Sequence, residues 1–175
     1  MEKINVLLYL SFNFFVYGII GWGIENIYCY LCNGYFQKDG FLHLPFKPMY
    51  AIAMSLLVLI NDSTAYNKYI LIIICFLVPT LIEYITGVIM KVYFNKDYWD
   101  YSKLKFNIQG IICLKFSIYW TVLTYIGVKY FQANIIDRLY LDLGYYWQVL
   151  CPIIFIILLV DDLLSIKKFN LKVDI

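Results

Sequence analysis

The chain has 175 residues, of which 63% are hydrophobic, 20% aromatic and only 15% charged, with a formal net charge of +2. A soluble domain carries about 25% charged residues and roughly half apolar ones, so the composition excludes an ordinary soluble protein. The lysines are spread between apolar runs rather than gathered in one patch, which excludes a nucleic-acid binder. We therefore predict an all-α integral membrane protein, a polytopic bundle of transmembrane helices surrounded by the lipid bilayer.

Five apolar runs predict five membrane spans, because about 20 apolar residues cross a bilayer. In chain order the predicted spans are residues 7–31, 48–60, 69–94, 108–130 and 146–166. Together they predict a single transmembrane domain over residues 1–175. The first run is longer than the apolar core of a signal peptide and carries Glu25, so we expect it to remain in the mature protein as a membrane span. Pro79 lies inside the third run, where it predicts a kink and a freed carbonyl near Cys75.

Basic residues between the spans predict the orientation of the chain in the cell membrane. With five spans, the loops after the first and third spans share one side with the C-terminal segment, and that side carries nine lysines. The opposite side carries four basic residues. Because Lys and Arg are enriched on the cytoplasmic side, we expect the N-terminus outside and the C-terminus in the cytoplasm.

Small and polar residues recur at helical spacing in the first span, at Gly18, Gly21 and Glu25. Small residues let helices approach closely, so we expect this face to point into the bundle. The five cysteines all lie within or beside spans, where cysteine behaves as a small hydrophobe. Cys29 and Cys32 form a C-x-x-C pair outside any thioredoxin-like context, and we predict neither a disulfide framework nor a metal site.

The chain matches itself at an offset of 58 residues. Eight of the twenty-four positions from 24 to 47 are identical to those from 82 to 105. Glu25 falls on Glu83, Lys47 falls on Lys105, and Tyr35-Phe36-Gln37-Lys38-Asp39 falls on Tyr93-Phe94-Asn95-Lys96-Asp97. Chance in a chain rich in Tyr, Ile and Lys is one explanation. We favour the other, a parallel internal repeat that relates spans one and two to spans three and four.

Four ionisable residues share one depth inside the predicted spans: Glu25, Glu83, Lys115 and Asp161. Each lies roughly 9–12 Å from the cytoplasmic end of its span, at about 1.5 Å of rise per residue. Charge in hydrocarbon is costly and marks working sites, so Glu25, Glu83 and Lys115 predict the ion- or proton-coupled core of a polar cavity. The alternative is a buried ion pair that only fixes helix packing. For Asp161, near a span end, we favour a charge that extends to water.

An aromatic loop joins the third and fourth spans, and in it polar side chains alternate with rings at Trp99, Asp100, Tyr101 and Ser102. We predict that these residues cover the cavity or contact a headgroup, although Tyr and Trp are also enriched at membrane interfaces for their rings alone. Asn107 precedes the fourth span. The free N–H groups at the start of that helix are expected to favour a phosphate or carboxylate.

Five motifs combine these residues: Gly21-Trp22-x-x-Glu25, Gly40-Phe41-Leu42-x-x-Pro45-x-x-Pro48-Met49-Tyr50, Glu83-x-x-Thr86-Gly87, Trp99-Asp100-Tyr101-Ser102 and Phe106-Asn107-Ile108-x-Gly110-x-Ile112-Cys113-Leu114-Lys115. Together they resemble the signature of a bacterial integral-membrane family labelled "putative ABC-transporter type IV" or CmpB-like. The chain departs from that signature at Ile111, where many relatives have Arg, and at Leu44, where Gly is common. A similar Trp-Asp-Tyr-Ser block occurs in small multi-span vertebrate proteins.

The resemblance implies a permease. The chain contains no P-loop motif, so an ATPase would be a separate subunit. Five spans are few for a complete pathway, which makes a homodimer the other expected assembly.

The leading prediction is a permease-like transporter, or a transporter subunit, with a cytoplasm-facing polar cavity that takes a lipid headgroup or a small anionic ligand. An alternative is a membrane-embedded enzyme acting on lipid headgroups, in which interfacial carboxylates work with Asp100 or with His43, the single histidine. A lone interfacial histidine is also commonly an ordinary surface residue. The third possibility is a membrane subunit without chemistry of its own. The sequence assigns no catalytic residue and no cofactor.

Overall fold

A helix of 28 residues, α1 (Val6–Asn33), is the first element of the computed structural model, which describes residues 5–36, 40–63 and 67–173. The side chain of Asn5 caps its start by accepting two backbone N–H groups of the first turn. Gly34 ends the helix in the left-handed conformation, with φ of +77°, which glycine adopts at little steric cost. A capping residue at each end, Asn5 and Gly34, thus bounds a long apolar helix.

Two further helices lie over the second and third predicted spans. α2 is Pro48–Ser63 and α3 is Lys68–Phe94. Asn67 caps the start of α3 through its side-chain oxygen, and Asn95 ends it in the left-handed conformation. The bounds of α3 are therefore set by asparagines, which accept local N–H groups and tolerate positive φ.

A two-stranded antiparallel hairpin lies between α3 and the next helix. β1 is Asn107–Ile108 and β2 is Ile112–Cys113, and α4 (Leu114–Ile126) follows directly. The helix therefore begins at Leu114 rather than at residue 108 as predicted. The turn between the strands has positive φ at residues 109 and 110, which an α-helix does not accommodate.

No loop follows α4. The chain continues through a π-helical segment, Gly127–Ile136, into α5 (Asp137–Val173). The polar stretch 132–145, which separates the fourth and fifth predicted spans, is helical, and polar side chains within it find partners inside the helix. Gln132 Nε2 donates to Asp137 Oδ1 at 2.8 Å.

Among the described residues, three helical stretches are long and apolar enough to cross a membrane: Val6–Asn33, Lys68–Phe94 and Leu114–Lys168. Pro48–Asn61 is a shorter apolar helix. The all-α class predicted from the sequence is confirmed. The five spans stay a prediction, in which residues 114–130 of the fourth span and all of the fifth lie inside one continuous helical stretch.

Pro79 lies inside α3. Proline has no N–H, so the carbonyl four residues earlier, that of Cys75, loses its helical partner. The Thr124 hydroxyl of α4 lies 3.2 Å from this carbonyl oxygen and 2.7 Å from the carbonyl oxygen of Trp120 in its own helix, so these carbonyls compete for one hydrogen. The carbonyl that the sequence predicts to be freed therefore faces α4.

The chain forms two compact units where the sequence predicts a single domain of residues 1–175. Unit 1 consists of Met1–Ala51 and Tyr140–Ile175, and unit 2 is Ile52–Leu139. Aromatic rings build the core of unit 1: Phe15 of α1 lies 4.8 Å from Phe155 and 5.7 Å from Trp147, both of α5, between ring centroids.

The core of unit 2 consists of aliphatic side chains on α2, α3 and the helical stretch after the hairpin. Leu57 and Val58 of α2 and Cys75 of α3 are fully buried, and Val128 and Ile136 of the π-helical segment are nearly so. The loop between α3 and β1 belongs to the same unit and carries Trp99, Asp100, Tyr101 and Ser102.

Candidate functional site

The glycine face of α1 lets the segment before α2 lie directly against the helix. A Cβ added at Gly18 would lie 2.1 Å from Cε2 of Phe46, and one added at Gly21 would lie 2.4 Å from Cδ2 of Tyr50. The backbone N–H of Lys47 donates to the carbonyl of Gly18 at 3.1 Å. The small-residue face predicted to pack inward does so, and it receives two aromatic rings.

Glu25 lies one helical turn beyond Gly21 and accepts two hydrogen bonds from this segment. Lys47 Nζ donates to Oε1 at 2.8 Å, and the Tyr50 hydroxyl donates to Oε2 at 2.8 Å. The Lys47 and Glu25 side chains are 18% and 24% exposed. A cation and a hydroxyl therefore offset the cost of placing this carboxylate on an apolar helix.

Asp161 of α5 binds the same segment at its other end. Its Oδ2 accepts the backbone N–H groups of His43 and Leu44, both at 3.0 Å, and its Oδ1 lies 2.9 Å from Nδ1 of His43. The Asp161 side chain is 9% exposed. Asp161 thus holds a neighbouring segment, which differs from the favoured prediction that it extends to water.

Ser165 lies one turn further along α5 and is fully buried. Its hydroxyl is 3.3 Å from Nδ1 of His43. Asp161 and Ser165 therefore lie on one face of α5 and both contact the same ring nitrogen. The His43 side chain is 53% exposed, so the rest of the imidazole faces outward.

The segment His43–Tyr50 is consequently fastened by two acids from two helices of unit 1. Asp161 holds its beginning and Glu25 holds its end. Two predicted site residues that are far apart in sequence thus act on one short stretch of chain.

In unit 2, the aromatic loop reaches a buried acid of α3 through Tyr101. Glu83 is 2% exposed, and the Tyr101 hydroxyl donates to its Oε1 at 3.1 Å. The Tyr101 ring stacks on Phe116 of α4, with centroids 4.7 Å apart and planes 15° apart. Phe116 therefore fixes where the Tyr101 hydroxyl points.

The other residues of the Trp-Asp-Tyr-Ser block bind the loop itself. Asp100 accepts the backbone N–H and the hydroxyl of Ser102, at 2.8 and 2.9 Å. These two donors, with smaller contributions from Lys91 and Lys103, hold the pKa of Asp100 below its ordinary value. Trp99 Nε1 donates to the carbonyl at position 111 at 2.7 Å. Trp99, Asp100 and Ser102 thereby give the loop a defined shape.

The sequence predicts Asn107 to lie at the start of the fourth helical span, but it lies in β1 and stabilises the hairpin. Its Nδ2 donates to the carbonyls of Ser102 and Leu104, at 3.2 and 2.7 Å, and its Oδ1 accepts the N–H of Gly110 at 3.1 Å. The N–H of Leu114, at the true start of α4, donates to the Phe106 carbonyl at 3.2 Å. Backbone N–H groups in this region, which the sequence predicts to be free for an anion, thus donate to the protein itself at Gly110 and Leu114.

Lys115 is exposed on α4, with Nζ 5.7 Å from the ring centroids of both Phe116 and Tyr119. Within the described residues it forms no ion pair, so it is not joined to Glu83 as predicted. Cation–π contacts of this kind are weak at exposed positions, about 0.5–1 kcal/mol. Lys115 thus lies beside the ring on which Tyr101 stacks.

The two units share a local arrangement. In each, a glutamate of a long apolar helix accepts the hydroxyl of a tyrosine from the segment that follows: Tyr50 for Glu25 and Tyr101 for Glu83. We name these pairs the carboxylate–tyrosine sites.

The offset of 58 residues does not relate the two tyrosines, because Tyr50 falls on Ile108. Lys47 is ion-paired, whereas its counterpart Lys105 is exposed and has no ion pair in the described parts of the chain. Residues 37–39 of the matched block lie outside the described residues. The internal repeat stays a prediction.

Sequence reasoning missed three residues of these sites: Lys47, Tyr50 and Ser165. Lys47 and Tyr50 flank the proline that begins α2, and Ser165 lies one helical turn from Asp161. These positions are weak signals, since Lys47 and Tyr50 lie 22 and 25 residues from Glu25, and Ser165 lies 122 residues from His43.

An apolar groove of about 320 Å³ lies between α3 and α4 of unit 2. Its lining consists of Ile72, Ile73, Phe76, Leu77, Ile118, Thr121 and Val122. None of the predicted site residues is among them. The groove therefore has the apolar character of the surrounding helices and is distinct from the predicted polar cavity.

Three helical stretches of the described residues are long and apolar enough to cross a bilayer, which indicates a membrane protein. The model of the family described as "Putative ABC-transporter type IV" matches residues 12–166. The chain belongs to this family, as its motifs predict. The comparisons with curated proteins and with solved structures found no match, so the likeness to vertebrate proteins stays a prediction.

Proposed function

We propose that the chain is a permease, or the membrane subunit of a transporter, in which the two carboxylate–tyrosine sites bind the transported or coupling ion. The observation that carries the proposal is the Glu83–Tyr101 pair. A carboxylate that is 2% exposed lies on an apolar helix, and a loop tyrosine donates to it at 3.1 Å. Ionisable groups at such positions are costly and are retained for ion or proton pathways.

The chemistry of the two sites differs. Glu25 is paired with Lys47, so a second cation there must displace the ammonium. Glu83 accepts the hydroxyl of Tyr101. Because this donor is neutral, a proton or cation can bind the carboxylate without displacing another positive charge. Lys115 lies beside Phe116 and offers a positive charge for an anionic substrate or headgroup.

The assembly and orientation belong to the same proposal. The family name supports a transporter, and the chain has no P-loop motif, so an ATPase would be a second protein. A homodimer is the alternative assembly. The lysine distribution supports a cytoplasmic C-terminus, with the polar cavity opening to that side.

Uptake by reconstituted vesicles tests the proposal. Purified protein in liposomes is offered phosphate, short carboxylates and amino acids under an inward proton gradient, and the lumen is analysed by mass spectrometry. Glu83→Gln is expected to lower the uptake of any accumulated compound by about tenfold, the effect of losing a charged hydrogen-bonding partner.

Asp97→Asn is the matched control, because it removes an exposed carboxylate paired with Lys91 at 3.5 Å. Equal uptake by Glu83→Gln and Asp97→Asn vesicles contradicts the proposal. A partner ATPase that co-purifies with the chain would identify the subunit form.

One observation favours a second function, an enzyme acting on lipid headgroups. The half-exposed imidazole of His43 is held by Asp161, an arrangement suited to proton transfer. Lipid extracts from cells with and without the gene distinguish the two functions. A lipid whose mass changes by a reaction step supports the enzyme, and an unchanged lipid profile with altered uptake supports the permease.

A further inference from the structure

The hydrogen bonds around His43 determine which ring nitrogen carries the proton. Nδ1 lies 2.9 Å from Oδ1 of Asp161. An ionised carboxylate only accepts hydrogen bonds, so Nδ1 must carry the hydrogen. In a neutral imidazole the other nitrogen, Nε2, then has the free lone pair.

The position of Asp161 strengthens this assignment. Its Oδ2 accepts two backbone N–H groups at 3.0 Å, so the carboxylate cannot rotate away from the ring without losing both bonds. The Ser165 hydroxyl, 3.3 Å from Nδ1, lies on the same side of the imidazole. The ring is thus held through one nitrogen by a fixed and almost fully buried acid.

Nε2 has no hydrogen-bond partner among the described residues, and the His43 side chain is 53% exposed. The charged groups of α5 nearest this loop along the helix are Asp161, Asp162, Lys167 and Lys168, and α1 contributes Glu25, which is paired with Lys47. An imidazolium here would form an ion pair with the carboxylate that already contacts it.

We propose that His43 is a proton-accepting site in which Asp161 fixes the Nδ1–H tautomer and Nε2 takes a proton from an O–H donor in the aqueous phase. The O–H bond breaks, the Nε2–H bond forms, and the positive charge stays on the ring beside Asp161. The site stands on geometry alone. Its use as the entry point of a coupling proton rests on the proposed permease function.

The chain has a single histidine, so labelling the full-length protein with ¹⁵N-histidine gives one imidazole spectrum. In the neutral imidazole, Nδ1 is expected to be protonated and Nε2 unprotonated, with this tautomer exceeding the other by about tenfold.

Asp161→Ala is expected to remove the tautomer preference, and Asp162→Asn, which changes the adjacent acid, is expected to keep it. Since Asp161→Ala also releases two backbone N–H groups, Ser165→Ala serves as a milder variant that keeps the carboxylate and the tautomer. An Nε2–H tautomer in the unmodified protein, or an Asp161→Ala protein that folds and keeps the Nδ1–H form, overturns the assignment.

Proton entry into liposomes that contain a pH-sensitive dye tests the use of the site separately. His43→Gln is expected to lower protein-dependent proton entry by about tenfold. If the unmodified protein admits no more protons than empty liposomes do, the permease proposal fails while the tautomer measurement still decides the site. Unchanged entry through His43→Gln overturns the role of His43 in proton entry.

Discussion

The Tyr50 hydroxyl donates to Glu25 at 2.8 Å while the ring of the same tyrosine lies over the bare backbone of Gly21. One side chain therefore fills a notch in α1 and also binds the acid one turn further along. The shape of the helix surface and the polar site of unit 1 are consequently linked, and a change in one is expected to disturb the other.

Gly21→Ala tests this link. The added Cβ would lie 2.4 Å from Cδ2 and 2.5 Å from Cβ of Tyr50, so the whole tyrosine must move away. We expect a loss of about 1–3 kcal/mol in the free energy of unfolding, typical of overpacking. The measurement is thermal unfolding in detergent.

Gly23→Ala is the control for that experiment, because nothing lies within 4 Å of an added Cβ at Gly23. It is expected to be neutral or to stabilise by up to about 1 kcal/mol, since alanine favours helix over glycine. Equal melting temperatures for the two variants would contradict the close packing of Tyr50.

A double-mutant cycle between Lys47→Met and Glu25→Gln measures the ion pair of unit 1. The two side chains are 18% and 24% exposed and 2.8 Å apart, so we expect a coupling of about 1–3 kcal/mol in unfolding. Lys91 and Asp97 give the comparison pair, 3.5 Å apart with 53% and 60% exposed side chains. That exposed pair is expected to couple by less than about 1 kcal/mol. A larger coupling for Lys91 and Asp97 than for Lys47 and Glu25 would contradict the closer and less exposed ion pair of unit 1.

The Asp100 carboxylate is expected to make the aromatic loop sensitive to acid. Its folded pKa lies below its ordinary value because Ser102 donates to it twice. The ionised form therefore stabilises the loop above the unfolded value of about 3.9, and this contribution is lost as the pH falls through the folded pKa. The amide proton signal at position 102, followed by NMR against pH, reports the transition.

Ser102→Ala keeps the backbone donor and loses the hydroxyl, so the transition is expected to move to higher pH. Asp100→Asn is expected to abolish it. A transition that persists in Asp100→Asn would assign the acid response to another group.

Gly110→Ala combines two defects. Gly110 has φ of +72°, and an added Cβ would lie 2.9 Å from Oδ1 of Asp100, which Ser102 holds in place. We expect a loss in unfolding free energy larger by about 1–2 kcal/mol than that of Gly34→Ala. Gly34 has φ of +77° with nothing within 4 Å of an added Cβ, so it isolates the backbone strain. Similar losses in the two variants would mean that Asp100 does not fill that space.

Hydropathy predicts where the first three helices lie, because each coincides with an apolar run, and Asn or Gly residues with ordinary capping chemistry bound α1 and α3. It fails at Ile108–Cys113, whose apolar residues are equally suited to a helix. There the hairpin turn has positive φ at Gln109 and Gly110; glutamine does not signal such a turn, and a single glycine is also tolerated within a helix. It fails again at 132–145, where polar side chains suggest a loop but bond within the helix, as Gln132 does to Asp137.

The acids of the sites could be predicted because charge on an apolar run is conspicuous. Their partners could not be, since Tyr50, Lys47 and Tyr101 are ordinary residues for a membrane interface. Only the packing of the chain reveals that one is 2.8 Å from Glu25 and another 3.1 Å from Glu83.

The two aromatic rings that pack against α1 limit the size of the residues that members of this family can have at four positions. Phe46 occupies the space where Gly18 lacks a side chain, and Tyr50 does the same at Gly21. If the distance between backbone segments is kept, volume gained at one member of a pair must be lost at the other. Aligned relatives should therefore show anticorrelated residue sizes at positions 18 and 46 and at positions 21 and 50. A relative with a smaller residue than Tyr at position 50 should also replace the hydroxyl that Glu25 accepts.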